Sequence, residues 1–172
     1  ALASLPPSPG VMAERPRSRS AFIISRPMWR SIIFVGGLFS ALLLWLLFYL
    51  EHHTISSLTH LGRVAADGGD GLTPYELSLF FTIFVFLQFW NMFNARAFAT
   101  GRSAFHFHDC GGFIMIALII FLGQIAIVTI GGDLFNVTPL HLSDWIIIIT
   151  ATSPVLLIGE AFRLLHRPAA TR

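Results

Sequence analysis

Three amide side chains recur at steps of three within one apolar stretch, the run LQFWNMFNAR. They are Gln88, Asn91 and Asn94, and in an α-helix such steps place side chains along one side. An amide oxygen can ligate a hard cation, and an amide can equally hydrogen-bond one membrane helix to another. Both interpretations stay open for Gln88 and Asn91. Asn94 lies near the end of the run, where a role in helix packing, capping or the membrane interface is expected.

A second pattern consists of small residues in the first apolar run of the chain. Gly36, Gly37, Ser40 and Ala41 form overlapping pairs with three residues between their members. Such pairs let another helix approach closely, because no large side chain holds the two backbones apart. The pattern predicts a helix-packing face, and the partner helix stays open.

The segment HFHDC at residues 106–110 has the composition of a metal-ligand cluster, since it combines histidine, aspartate and cysteine. A polar loop at a membrane interface explains the same residues without a metal. Cys110 is the one cysteine of the sequence, which excludes a disulfide within the chain.

These residues belong to a chain with the composition of a membrane protein. Hydrophobic residues make up 55% of its 172 residues and charged residues 12%, against about 45–50% and about 25% in soluble domains. Four runs, at about 31–50, 77–98, 113–130 and 142–165, reach the length of about 20 residues that crosses a bilayer. Backbone groups in lipid must pair within their own segment, so the predicted fold class is an all-α integral membrane domain. Pro154 should kink or locally open the fourth helix.

The arginines determine the predicted orientation of these four spans. All 11 cationic residues are arginine. Ten of them cluster before the first span, between the second and third, and after the fourth, and Arg63 alone lies between the first and second. The other two connections are mainly acidic, so the positive-inside rule predicts cytoplasmic termini and two helical hairpins. Residues 1–30 are then a cytoplasmic loop, and residues 166–172 a short cytoplasmic tail. The net charge of +2 gives no indication of nucleic-acid binding.

No nucleotide-binding motif accompanies the spans. The sequence has neither a Walker A motif nor a glycine-rich nucleotide fingerprint, and no polar stretch is long enough for a nucleotide domain. No charged residue occupies the middle of a predicted span, which argues against a free-standing proton relay. We therefore predict that this segment has no catalytic residue and no cofactor of its own.

Several segments, in order and at matching spacing, resemble the C-terminal membrane region of P-type cation-transporting ATPases, in particular plasma-membrane-type calcium pumps. The run FVFLQFWNMFNAR is similar to their eighth helix, and the first span with its glycine pair resembles their seventh. Further similar segments are PP at 6–7, ERPR at 14–17, FIIS at 22–25, GG at 131–132, Phe135, Leu140 and Trp145. The resemblance covers nearly the whole chain and implies that the four spans are helices seven to ten.

The resemblance implies the support domain of an ATP-driven pump that exports Ca²⁺ across the cell membrane. It places Gln88 at a position that contributes to a cation site, with Asn91 as a second candidate. It places Gly36 and Gly37 where the seventh helix packs on the fifth, and Arg15 in a loop that couples cytosolic domains to the membrane. The full-length pump would use ATP and Mg²⁺. The partners of this segment would be the lipid bilayer, the remaining helices and cytosolic domains, and the transported cation.

Three alternatives remain at the level of sequence. The chain could be a stand-alone four-helix membrane protein with a binding or regulatory role, recognisable by a start codon near Met12 without an ATPase coding region upstream. It could belong to a P-type pump for sodium, potassium, magnesium or manganese. It could also be an unrelated small transporter or channel, which would need polar residues lining more than one span. The first residue is alanine rather than methionine, which favours a fragment.

Overall fold

Long α-helices account for most of the structure. The computed structural model describes residues 26–53, 55–60, 71–100, 103–108 and 110–165, and this part contains no β-strand. Arg15 and the rest of residues 1–25 lie outside it, as do residues 166–172. The helices are α1 (Arg26–His52), α2 (Pro74–Thr100), α3 (Gly111–Ile130), α4 (Gly132–Phe135), α5 (Leu142–Thr152) and α6 (Pro154–Leu165), with a 3₁₀ turn at Leu58–His60.

Four helical segments are long and apolar enough to cross a membrane: Met28–His52, Pro74–Ala97, Gly111–Ile130 and Leu142–Ala161. Twenty helical residues extend about 30 Å, which is the thickness of the hydrocarbon core. The predicted all-α membrane fold with four spans is therefore confirmed. Helices α1 and α2 extend beyond the apolar runs at both ends, because a helix continues until capping residues or a turn end it. The cytoplasmic location of the termini stays a prediction.

α2 is the central helix and contacts α1, α3, α5 and α6. Its Phe86 is buried and packs edge-on against Phe121 of α3 and Trp145 of α5, with ring centroids 5.7 and 6.1 Å apart. Further along α2, Phe93 meets Phe113 of α3 edge-on at 5.2 Å. Lipid tails are as apolar as these side chains, so close packing rather than water exclusion favours the contacts. Edge-to-face aromatic pairs each contribute about 0.5–1.5 kcal/mol and fix the neighbouring helices against α2.

Pro154 divides the fourth span into α5 and α6. Proline has no N–H group with which to bond the carbonyl of Thr150 four residues earlier. The hydroxyl of Ser153 donates to that carbonyl instead, at 2.9 Å. The break that the sequence predicts at Pro154 is therefore confirmed as an interruption of the helix at Ser153, which we call the kink. Trp90 of α2 donates its indole N–H to the hydroxyl of Thr152 at 3.0 Å, so the central helix contacts the fourth span beside the kink.

A capping box begins α2. The N–H of Glu76 donates to Oγ1 of Thr73 at 3.3 Å, and one oxygen of Glu76 accepts the backbone N–H and the hydroxyl of Thr73, both at 2.8 Å. Pro74 occupies the first helical position, where no N–H is needed. The other oxygen of Glu76 accepts the N–H of Ile55 at 2.8 Å. This buried carboxylate therefore also holds the segment after α1 against the start of α2.

A second buried carboxylate, Asp144 in the first turn of α5, joins three parts of the chain. It accepts hydrogen bonds from the hydroxyl of Ser57 (3.1 Å), the N–H of Leu58 (2.9 Å), the hydroxyl of Tyr75 and Nδ1 of His141 (3.3 Å). A carboxylate has about four acceptor positions, so these donors satisfy it. We call these five residues the Asp144 cluster. It fixes the α1–α2 connection and the start of α2 to the start of α5.

Candidate functional site

One side of α2 is not covered by the other helices that the structure describes. Gln88 is exposed there, Asn91 is half-buried, and Phe84 one turn before Gln88 is 41% exposed. We call these three residues the free face of α2. Neither amide side chain forms a hydrogen bond within the described part of the chain. The central helix therefore presents two amides to whatever lies beside it.

Gln124 shows how a paired amide in these spans is arranged. It is buried on α3 and donates its Nε2 hydrogen to Oγ1 of Thr82 on α2 at 3.2 Å. Leaving such a group without a partner in hydrocarbon costs several kcal/mol. Gln88 therefore needs a polar partner outside the described residues, which can be another helix, a cation or water.

Asn94 points away from the free face. Its Nδ2 donates to the carbonyl of Val155 on α6 at 2.9 Å, and Gly159 of α6 lies directly against its carboxamide. Its Oδ1 is buried and has no hydrogen-bond partner among the described residues. Three residues rotate an α-helix by about 300°, which is about 60° short of a full turn. Two such steps place Asn94 about 120° around the helix from Gln88. The three amides are therefore split between two sides of α2, and only Gln88 and Asn91 share the free face.

The small-residue pattern of α1 lies on an uncovered surface. A methyl group added at Gly36 or Gly37 would lie more than 4 Å from every other described atom, apart from the neighbouring backbone of its own helix. Ser40 and Ala41 are also exposed. No described helix packs on this face, and its role in helix packing stays a prediction.

The HFHDC segment does not gather its polar side chains around one point. His106 and His108 are exposed with ring centroids 6.3 Å apart, whereas the thiol of buried Cys110 donates to the carbonyl of Phe107 at 3.0 Å. Asp109 lies outside the described residues. Within the part that the structure describes, no three His, Cys, Asp or Glu side chains come together as metal ligands.

Arg96, which the sequence assigns to membrane topology, also organises the α2–α3 connection. It is 4% exposed, and its Nη2 donates to the carbonyl of Ala104 at 2.8 Å. Its guanidinium carbon lies 5.4 and 5.1 Å from the ring centres of Phe107 and Phe113, within the range of cation–π contacts. Glu160 of α6 accepts the N–H of Ala104 at 3.2 Å. Aromatic residues after a helix-terminal arginine are a signal for such contacts, but only the fold shows which rings are used.

The fold and the free face of α2 define the class of this protein, a multi-pass α-helical membrane domain whose central helix carries amide side chains on a face that the other described helices leave uncovered. Comparison with known sequences gives the family. Residues 1–165 match the family described as cation transporting ATPase, C-terminus. The chain belongs to this family, and the resemblance seen in its sequence is confirmed.

Several relatives are named as calcium-transporting ATPases. The calcium-transporting ATPase PAT1 of Dictyostelium discoideum is 30% identical over 167 residues, which cover 95% of this chain and 14% of that protein. The plasma membrane calcium-transporting ATPase mca-1 of Caenorhabditis elegans is 27% identical over 93% of this chain and 12% of its own length. The plasma membrane calcium-transporting ATPase 4 of Bos taurus is 32% identical over 84% of this chain and 12% of its own length. The chain thus spans only about an eighth of these relatives. The plasma-membrane names of the second and third agree with the predicted cell-membrane location.

Proposed function

We propose that this chain is the C-terminal membrane support of an ATP-driven calcium pump, in which α1, α2, α3 and the α5–α6 pair are the seventh to tenth spans. The observation that carries the proposal is Gln88, a polar side chain exposed on the central membrane helix without a partner in the described chain. In a cation pump, the ion pathway between helices supplies such a partner.

In this proposal the amide oxygen of Gln88, on helix α2 of the membrane support, is a ligand of the transported Ca²⁺. Asn91 is a second candidate ligand. A neutral oxygen suits a hard cation but contributes no negative charge, so carboxylates must come from other helices. A site weakened in this way favours one Ca²⁺ per cycle. The hydrogen bonds of Trp90 and Asn94 to the fourth span hold this part of α2 in place. The support can then keep the amide stationary while other helices move.

The remaining roles follow from the same arrangement. The other domains of the pump would bind ATP and Mg²⁺ and phosphorylate the enzyme, with both ends of this segment in the cytoplasm. Arg15 would belong to the loop that couples those domains to the membrane. The open surface at Gly36 and Gly37 would receive the fifth helix, because two helices without intervening side chains can pack closely.

Substitution of Gln88 tests its proposed contact with the ion. In the full-length pump, Gln88→Ala should raise the Ca²⁺ concentration needed for half-maximal phosphorylation about fivefold, which corresponds to the loss of about 1 kcal/mol from one neutral ligand. Phosphoenzyme formed from labelled ATP at buffered Ca²⁺ concentrations gives this value. Gln124→Ala is the control, because it removes the same type of side chain from a position where the amide bonds Thr82. It should leave the Ca²⁺ dependence unchanged. An unaltered Ca²⁺ dependence in Gln88→Ala, with normal expression, would contradict the role.

Substitution of Gly37 tests the predicted contact with another helix. Gly37→Leu should reduce transport strongly or prevent accumulation of the pump, since overpacking of a helix interface costs about 1–3 kcal/mol. ATP-dependent ⁴⁵Ca uptake into membrane vesicles, normalised to protein, measures the effect. Ala126→Leu is the matched control, because Ala126 is exposed on α3. Uptake by Gly37→Leu equal to that of the control would identify a lipid-facing surface instead.

The coding sequence upstream of Ala1 tests the larger proposal. An in-frame region that encodes a DKTGT phosphorylation motif and six further spans would support the pump. A start codon near Met12 without an ATPase region before it would instead favour the stand-alone four-helix protein.

A further inference from the structure

A cavity of about 340 Å³ lies between α1 and α2 at the end of the bundle that holds the Asp144 cluster. Trp45, Leu46 and Tyr49 line it from α1, and Leu79 and Ile83 line it from α2. Its lining is almost entirely apolar, and both walls belong to membrane spans. Such a lining offers water almost no hydrogen-bond partner, whereas a hydrocarbon chain can pack against it.

One wall of the cavity is a stack of aromatic rings. The rings of Trp45 and Tyr49 stack with centroids 5.7 Å apart, and those of Tyr49 and His53 stack at 4.4 Å. Nδ1 of His53 donates to the carbonyl of Tyr49 at 3.0 Å, which fixes the outer ring of the stack. The cavity therefore has one side formed of stacked rings that reaches the end of α1.

The same wall carries polar donors at the edge of the cavity. Trp45 is 63% exposed, so it stands on the open side. Its indole N–H and the hydroxyl of Tyr49 form no hydrogen bond within the described residues. Tryptophan and tyrosine at membrane interfaces typically place the ring among acyl chains and the polar group toward headgroups. The edge of the cavity thus offers donors to acceptor oxygens next to an apolar space.

The cavity faces away from the glycine surface of α1. Gly36 and Trp45, like Gly37 and Leu46, are nine residues apart, which is two and a half helical turns. They therefore lie on opposite sides of the helix. A helix seated on the glycines would leave the cavity open to lipid.

We infer that this cavity binds one acyl chain of a phospholipid whose ester or phosphate oxygens accept hydrogen bonds from Trp45 and Tyr49. A flexible chain can follow the space between Leu79, Ile83 and the aromatic wall. A phospholipid also brings several acceptor oxygens beside its chain, whereas a sterol brings one hydroxyl. The site does not depend on the identity of the transported ion.

Photolabelling tests this site in the full-length protein. The protein is placed in nanodiscs of phosphatidylcholine that contain a small share of phosphatidylcholine with a diazirine on one acyl chain, and labelled peptides are mapped by mass spectrometry. Peptides with Leu46 and with Ile83 should be labelled more strongly than the exposed surface of α3. Leu46→Trp fills the cavity and should lower this labelling about tenfold, the loss expected when roughly two methylene groups are no longer buried. Leu46→Ala enlarges the cavity and should preserve the labelling.

Leu122→Trp is the matched control, because it makes the same change on the exposed side of α3. It should leave the labelling of the cavity unchanged. Equal labelling of the cavity and of α3 would mean ordinary contact with bulk lipid and would overturn the inference. Competition by cholesterol but not by unlabelled phosphatidylcholine would show a sterol site and would also overturn it. Labelling needs neither ATP nor Ca²⁺, so its outcome is separate from that of the Gln88 experiment.

Discussion

Replacing Gly159 by alanine should destabilise the membrane domain by about 1–3 kcal/mol, the typical cost of overpacking. A Cβ atom at this position would overlap the carboxamide of Asn94, which cannot move without losing its hydrogen bond to Val155. The contact joins the central helix to α6 just beyond the proline kink. Thermal inactivation of the full-length protein in detergent, followed as the fraction that remains monodisperse after heating, measures the loss.

Two further variants separate this contact from a general effect of alanine. Gly123→Ala on α3 places the same methyl group where no atom lies within 4 Å in the described chain, so it should be neutral or slightly stabilising through helix propensity. Asn94→Ala loses the hydrogen bond to Val155, but it also removes the carboxamide that a Cβ atom at position 159 would overlap. The double variant with Gly159→Ala should therefore be more stable than the sum of the two single losses predicts, with a coupling of about 1–3 kcal/mol. Strictly additive losses would show that the two residues do not compete for space.

Features that depend on local sequence could be predicted for this protein. The four spans follow from the length and apolarity of continuous runs, because a membrane leaves few alternatives to a helix. The kink follows from Pro154 alone, since the missing N–H acts on its own helix. The capping box of Thr73 and Glu76 has an equally local signature, since T-x-x-E stands directly before an apolar run.

Features that depend on neighbouring helices could not be predicted to the same extent. The spacing of Gln88, Asn91 and Asn94 indicates a shared side of a helix. Because each step of three residues falls about 60° short of a full turn, only Asn94 reaches Gly159 and α6. The partners of Asp144 are distant in sequence, since Ser57 lies 87 residues away. No short-range sequence pattern predicts a contact between residues so far apart in the chain. The available signal in the sequence is an acidic residue at the start of an apolar span, which by itself indicates only a connection outside the cytoplasm.

Replacing Asp144 by alanine should have the largest effect on stability in the described part of the chain, about 3–5 kcal/mol. The change leaves the N–H of Leu58 and the hydroxyls of Ser57 and Tyr75 without their common acceptor in a buried site. Hydrogen bonds to a charged group contribute about 1.5–3 kcal/mol each and are not additive within a network. The α1–α2 connection should then separate from α5. Limited proteolysis of the full-length protein should cut that connection much faster than in the wild type.

A graded series distinguishes loss of the acceptor from loss of any one donor. Tyr75→Phe removes a single hydroxyl and should cost about 1–2 kcal/mol. His141→Ala should cost under about 1 kcal/mol, because that side chain is 66% exposed and water can replace it. Asp144→Asn keeps one acceptor oxygen but turns an NH₂ group toward donors, so it should lie between Tyr75→Phe and Asp144→Ala. Equal proteolysis rates for Asp144→Ala and His141→Ala would mean that the carboxylate does not hold the three segments together. The expected order would instead show that one buried acceptor, shared by segments far apart in sequence, determines how the first hairpin docks on the fourth span.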